Sequence, residues 1–119
     1  MTTDTRSRRT LVLTSAALLF LAAAAPALAQ FVRTDRVIAF DTDVWRVWAA
    51  AGQTRVVVNG DGDTDLDCWV YDPYGNLVGS DTDGTDLCII GFRNPTAGNL
   101  TIRIRNLGGV YNQYNLTVD

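Results

Sequence analysis

Asp61, Asp63, Asp65 and Asp67 stand at every second position ahead of a strand-like run, and Asp81, Asp83 and Asp86 form a second acidic turn. Like charges held a few ångströms apart repel unless they are screened or coordinated. The chemistry that suits such a set is capture of calcium, a hard cation that takes roughly six to eight oxygen ligands, here carboxylates and the carbonyls between them. The spacing is not that of an EF-hand: counted from Asp61, the sixth place is Leu66 and the twelfth Asp72, where Gly and Glu are needed. The alternative is that these are turn aspartates, solvated and hydrogen-bonded to their own backbone. Both readings stand at this level.

The rest of the charged alphabet narrows the chemistry further. The chain has no Lys, Glu or His, and from residue 30 onward Ser80 is its sole serine. The usual general base, imidazole metal ligands, a lysine Schiff base and a nucleophilic triad are therefore missing by inventory. Paired aspartates remain as a route to a small hydrolase, but glycosidase chemistry needs two carboxyls facing across a cleft. Turn aspartates crowded on one rim do not provide that, so the chain reads as non-catalytic. Residues 30–119 hold seven Arg and twelve Asp. A net charge near minus five disfavours nucleic acid and anionic membranes as partners.

These residues need elements to position them. Residues 1–29 read as a signal peptide: Arg6, Arg8 and Arg9 precede a small and apolar run from Leu11 to Ala25, and Ala27-Leu28-Ala29 suits cleavage before Gln30. Ser7 to Leu11 also resembles the start of a twin-arginine signal, and the general secretory route is the simpler reading. The run is short against the roughly 20 residues that span a bilayer. Export, periplasmic or secreted, leaves one domain over residues 30–119.

Within that domain Gln30 to Arg36 shows no periodicity and reads as a lead-in, followed by the apolar run Val37 to Phe40. Two-residue alternation then recurs. Trp45, Val47 and Ala49 share a face, as do Leu66, Cys68 and Val70, then Cys88, Ile90 and Phe92, then Leu100, Ile102 and Ile104, and finally Tyr114, Leu116 and Val118. Asp72-Pro73-Tyr74-Gly75 is a tight turn that returns Leu77-Val78 antiparallel to the strand before it. With no helical periodicity, seven to eight short strands imply an all-β antiparallel β-sandwich. Cys68 and Cys88 fall on inward faces by independent counts, which predicts a buried disulfide. Trp69 and Tyr71 point the other way, beside Asp67, as a stacking platform for a polysaccharide or protein surface that Trp48 would extend.

Asp43-Val44-Trp45-Arg46-Val47, Ala51-Gly52-Gln53, the Gly62 to Asp72 run, Gly75-Asn76-Leu77-Val78, Leu100 to Ile104 and Tyr111 to Val118 together resemble the bacterial pre-peptidase C-terminal domain, over about residues 35 to 119. The resemblance implies a jelly-roll-like sandwich serving as an accessory module of exported enzymes, in some members calcium-binding. It carries over calcium ligation only to Asp65 and Asp67, because family ligands often include Glu. The chain departs from the pattern at Cys68, where a leucine-like residue is expected. An exported binding or accessory module is the leading expectation, and a structural or adhesive protein acting by self-association is the second.

Overall fold

A computed structural model describes residues 30–119; the expected signal peptide and its cleavage site lie outside the described residues. Eight strands follow in order: β1 (Phe31–Val37), β2 (Thr42–Ala49), β3 (Gly52–Asn59), β4 (Leu66–Tyr71), β5 (Leu77–Asp81), β6 (Leu87–Asn94), β7 (Gly98–Asn106) and β8 (Asn112–Val118). Among the described residues there is no helix, and so none long and apolar enough to cross a membrane.

The strands form two four-stranded sheets with orders β1-β8-β3-β6 and β2-β7-β4-β5, every pair antiparallel. Every connection crosses from one sheet to the other except the β4–β5 hairpin, which is the jelly-roll pattern. Alternation explains the packing: Val56 and Val58 of β3, Leu66, Cys68 and Val70 of β4, Leu100, Ile102 and Ile104 of β7, and Leu116 of β8 are all buried in one core. Trp45 packs against this core from its margin and is only half-buried.

β1 overturns the reading of Gln30 to Arg36 as a lead-in. It is a true strand, registered with β8 from Phe31 opposite Val118 to Val37 opposite Asn112. Only Val37 is buried; the middle of the strand is wet on both sides, which erases the alternation that betrays a strand. The apolar run that follows is likewise not a core segment, because Ile38 and Phe40 are exposed in a turn.

The sandwich is closed more tightly along one side than the other. At β5 and β6 the backbone of Gly79 lies so close to the Ile90 side chain that a Cβ would collide with it. The Ile89 N–H donates to Asp81 Oδ2 at 3.0 Å across the same margin. Cys68 of β4 and Cys88 of β6 join the two sheets there by a fully buried disulfide, with Cα atoms 6.2 Å apart. On the opposite side, between β1 and β2, the closure is polar: Trp45 Nε1–H donates to Tyr114 Oη at 2.8 Å, and Tyr114 O–H donates to Asp43 Oδ2 at 2.6 Å. Phe31 meets Trp45 edge to face, with centroids 6.1 Å apart. Burial and the bond to Asp43 push the Tyr114 phenol well above its ordinary range, so it stays a donor.

The cross-link spans 20 positions of sequence. Replacing both cysteines by alanine is expected to lower unfolding stability by about 3 kcal/mol, most of it through a less constrained unfolded chain. Urea unfolding of the two forms measures this, and reduction of the wild type should reproduce it.

Candidate functional site

The loops β1–β2, β3–β4, β5–β6 and β7–β8 all emerge at one end of the sandwich, and three buried asparagines show how such loops are held. Asn106, at the end of β7, is completely buried, and its Nδ2 donates to the carbonyls of Val37, Ile38 and Val110, the last at 2.7 Å. Its Oδ1 accepts from the Gly108 N–H. One side chain therefore ties the β1–β2 turn to the β7–β8 turn. Asn112 does the same for the acidic loops, donating to Thr64 Oγ1 and Asp86 Oδ2 and accepting from the Asp61 N–H. Asn94 anchors the opposite end through the Ala50 carbonyl at 3.0 Å.

This arrangement divides the aspartates that the sequence grouped. Asp61 Oδ1 accepts from the Asp63 N–H at 3.0 Å and Oδ2 from the Gln113 N–H at 2.9 Å. Asp86 receives the Gly62 N–H as well as Asn112, and sits so close to Gly60 that no side chain fits there. Asp83 Oδ1 accepts from the N–H and hydroxyl of Thr85. Asp81 holds Ile89. All four tie backbone N–H groups, Asp61 and Asp83 in local Asx fashion and Asp81 and Asp86 across to other segments. Asp63 is exposed at the loop tip.

Asp65 and Asp67 differ. The Oδ1 of each is buried without a hydrogen-bond partner. Burial, then repulsion from Asp65, raises the Asp67 carboxyl above its ordinary range; Arg105, its register partner on β7, acts against this, and Asp81 and Asp83 reinforce it. Two orphaned carboxylate oxygens are the right kind of donor for a hard cation. They are also the two positions that the family resemblance singles out. Among the described residues, however, no three acidic side chains converge in a metal-holding group.

The outward face of the β2-β7-β4-β5 sheet carries Trp69 and Tyr71. Trp69 lies opposite Arg103, and Tyr71 opposite Thr101, on β7; the next strand sets Val44 beside Arg103 and Arg46 beside Thr101. Trp69 and Tyr71 are half-buried, and Trp48, at the far end of β2, is 65% exposed. Among the described residues the only guanidinium hydrogen bond is from Arg33 Nη1 to the Val32 carbonyl, so Arg46, Arg103 and Arg105 keep their donors for other use. None of these pairings with arginine is visible in sequence, because register across β2, β7 and β4 decides them.

One cluster escaped sequence reasoning. In the β1–β2 turn, closed by the Asp41 N–H donating to the Ile38 carbonyl, Phe40 has φ of 59°. That left-handed conformation costs a non-glycine residue roughly 1–2 kcal/mol and normally calls for Gly or Asn. The ring is nevertheless 69% exposed. Exposed Ile38, Leu107, Val110 and Tyr111 belong to the same pair of turns.

The geometry defines a disulfide-joined, two-sheet jelly-roll sandwich. Residues 41–106 match the bacterial pre-peptidase C-terminal domain, more than half of the chain, and the protein belongs to that family. The match leaves out β1 and β8. Among solved structures, the chain resembles PliG of Aeromonas hydrophila, a periplasmic inhibitor of g-type lysozyme, with TM-score 0.55 and 19% identity over 76% of this chain and 84% of that one. It also resembles the PliG of Salmonella Typhimurium, with TM-score 0.51 and 14% identity over 81% of this chain and 91% of that one. At such identities the likeness concerns the fold. No curated protein matches the sequence.

Two predictions follow from the loop end. Asn106→Leu strands the acceptors it served and is expected to cost about 2–4 kcal/mol in urea unfolding. For Asp67, the folded state holds its proton more tightly than the unfolded chain does, so its contribution favours folding at low pH and is lost as pH rises through the raised folded value. Asp67→Asn should therefore melt above the wild type at pH 7 in chelator, and the gap should close as pH falls below the ordinary carboxylate value of about 3.9.

Proposed function

We propose that this chain is an exported, non-catalytic binding module that takes a protein or polysaccharide surface against the outward face of the β2-β7-β4-β5 sheet. The observation that carries the reading is the register that sets Trp69 and Tyr71 among Arg103, Arg46 and Thr101 on rigid strands. Trp, Tyr and Arg are the residues that dominate binding energies when they are clustered and pre-positioned. Guanidinium donors left without internal partners add directional recognition of carboxylates or hydroxyls.

Several features support the absence of catalysis and the export. The chain lacks His, Lys and Glu, and most of its loop aspartates hold backbone N–H groups. The solved structures of similar fold are described as inhibitors, which act by binding. The composition of residues 1–29 suits a cleaved leader, and a buried disulfide suits an oxidising compartment. Self-association through the β1 edge is the weaker alternative, since that strand presents Arg33, Asp35 and Arg36 along its exposed length. Calcium, in this reading, is a stabiliser: bound by Asp65 and Asp67, with Asp81 and Asp83 close by, it would neutralise the repulsion felt at Asp67.

Isothermal titration against g-type lysozyme and against peptidoglycan, cellulose and chitin tests the surface. Binding to one of these is expected, with Trp69→Ala and Arg103→Ala each weakening it roughly tenfold or more. No binding, or binding indifferent to both substitutions, refutes the assignment. Separately, millimolar calcium should raise the melting temperature of the wild type and leave Asp65→Asn/Asp67→Asn unmoved.

A further inference from the structure

We infer that the end of the sandwich formed by the β1–β2 and β7–β8 turns is a second docking surface, built for a cationic protein that offers an apolar pocket to Phe40. The inference is independent of the sheet-face assignment, because the two surfaces share no residue.

The first observation is the cost of the arrangement. Phe40 occupies a left-handed conformation that glycine would adopt freely, and in return its ring is mostly in solvent. Strain in a bulky residue that gains little burial points to a role outside the folding of the chain. The second is continuity. The Phe40 N–H donates to the Gly108 carbonyl at 3.1 Å, and the ring lies over Gly109, so the two turns form one surface. Ile38 is 60% and Val110 54% exposed on it. A contiguous apolar patch with a polar rim marks an interaction site rather than scattered surface residues.

The third observation selects the occupant. The Leu107 N–H donates to the Asp65 carbonyl at 3.0 Å, and Asp61 Oδ2 accepts from the Gln113 N–H, which places the acidic β3–β4 loop alongside the patch. Asp41 follows Phe40 directly. Against these carboxylates stand Arg36, which lies over the Tyr111 ring at 5.3 Å, and Arg105, in register with Thr42 and Asp67, so the rim stays acidic on balance. A partner that covered the apolar residues without basic groups would desolvate the rim with no compensation. A bilayer with anionic headgroups would be repelled by it. Aliphatic Ile38 and Val110 suit a protein pocket better than the flat face of a sugar. Lys and Arg around an apolar recess fit all three demands, and would make association fast and salt-sensitive.

A display library of random cyclic peptides, panned on the full protein, tests this without a chosen partner. Recovered binders are expected to combine Lys or Arg with a large apolar residue, and to weaken several-fold when salt is raised. Phe40→Gly should weaken them roughly thirtyfold or more, and Asp41→Asn/Asp63→Asn several-fold, while Trp69→Ala leaves them unchanged. Because glycine relieves the left-handed backbone, Phe40→Gly should melt at or above the wild-type temperature, which separates loss of binding from loss of fold. Binders that are acidic or neutral, binders that tolerate Phe40→Gly, or binding of the protein to anionic vesicles would each overturn the inference. So would a Phe40→Gly variant that melts far below the wild type, since the ring would then be serving the fold.

Discussion

Two half-buried sheets with no helix among the described residues have only one another to cover their apolar faces, and every other feature answers to that constraint. The inward rows of Val, Leu and Ile on β3, β4, β7 and β8 meet across a single core. Cys68 and Cys88, one from each sheet, keep the rows in contact beside the short margin strand β5. In a domain of this size such a link is a large share of the net stability, which is the small difference between burial and chain entropy. The other margin is closed without a covalent link, by the polar chain from Trp45 through Tyr114 to Asp43 and by the Phe31 ring against Trp45.

Much of this was legible from two-residue alternation. Leu66-Cys68-Val70 and Leu100-Ile102-Ile104 declare their inward faces, and the pairing of the cysteines follows from those faces. β1 was not legible because its middle residues are solvated on both sides, so nothing in Val32 to Arg36 alternates. Nor were the asparagines. Asn94, Asn106 and Asn112 look like ordinary turn residues in sequence, yet they are among the most buried side chains of the molecule, each set at the end or start of a strand where loop carbonyls and amides converge. Composition suggests a turn at such places; only topology shows that one amide serves two turns at once.

The candidate sites divide in the same way. The types of residue at the acidic loops were evident, but their use was not. Four of the seven aspartates hold backbone N–H groups, and only Asp65 and Asp67 have buried oxygens left over. The outward placement of Trp69 and Tyr71 could be counted along one strand. Their arginine neighbours come from β2 and β7, and depend on registers that no local pattern encodes. Phe40 was hidden for a different reason: an aromatic residue in an apolar run suggests burial, and its left-handed backbone is imposed by the turn that Asn106 and Gly108 hold.

The unequal margins of the sandwich have a dynamic consequence. Toward the β5–β6 side the sheets are joined by the disulfide between β4 and β6 and by the close approach of Gly79 to Ile90, whereas along β1 and β2 they meet through noncovalent contacts alone, the Trp45–Tyr114–Asp43 hydrogen bonds and the Phe31 ring on Trp45. Partial opening should therefore be a hinged motion that parts the molecule from the β1 side, like a shell about its ligament. Amide protons of β1 would exchange first. Trp45, at the lip, would sense each excursion as a change in its emission long before the core around Cys88 met solvent.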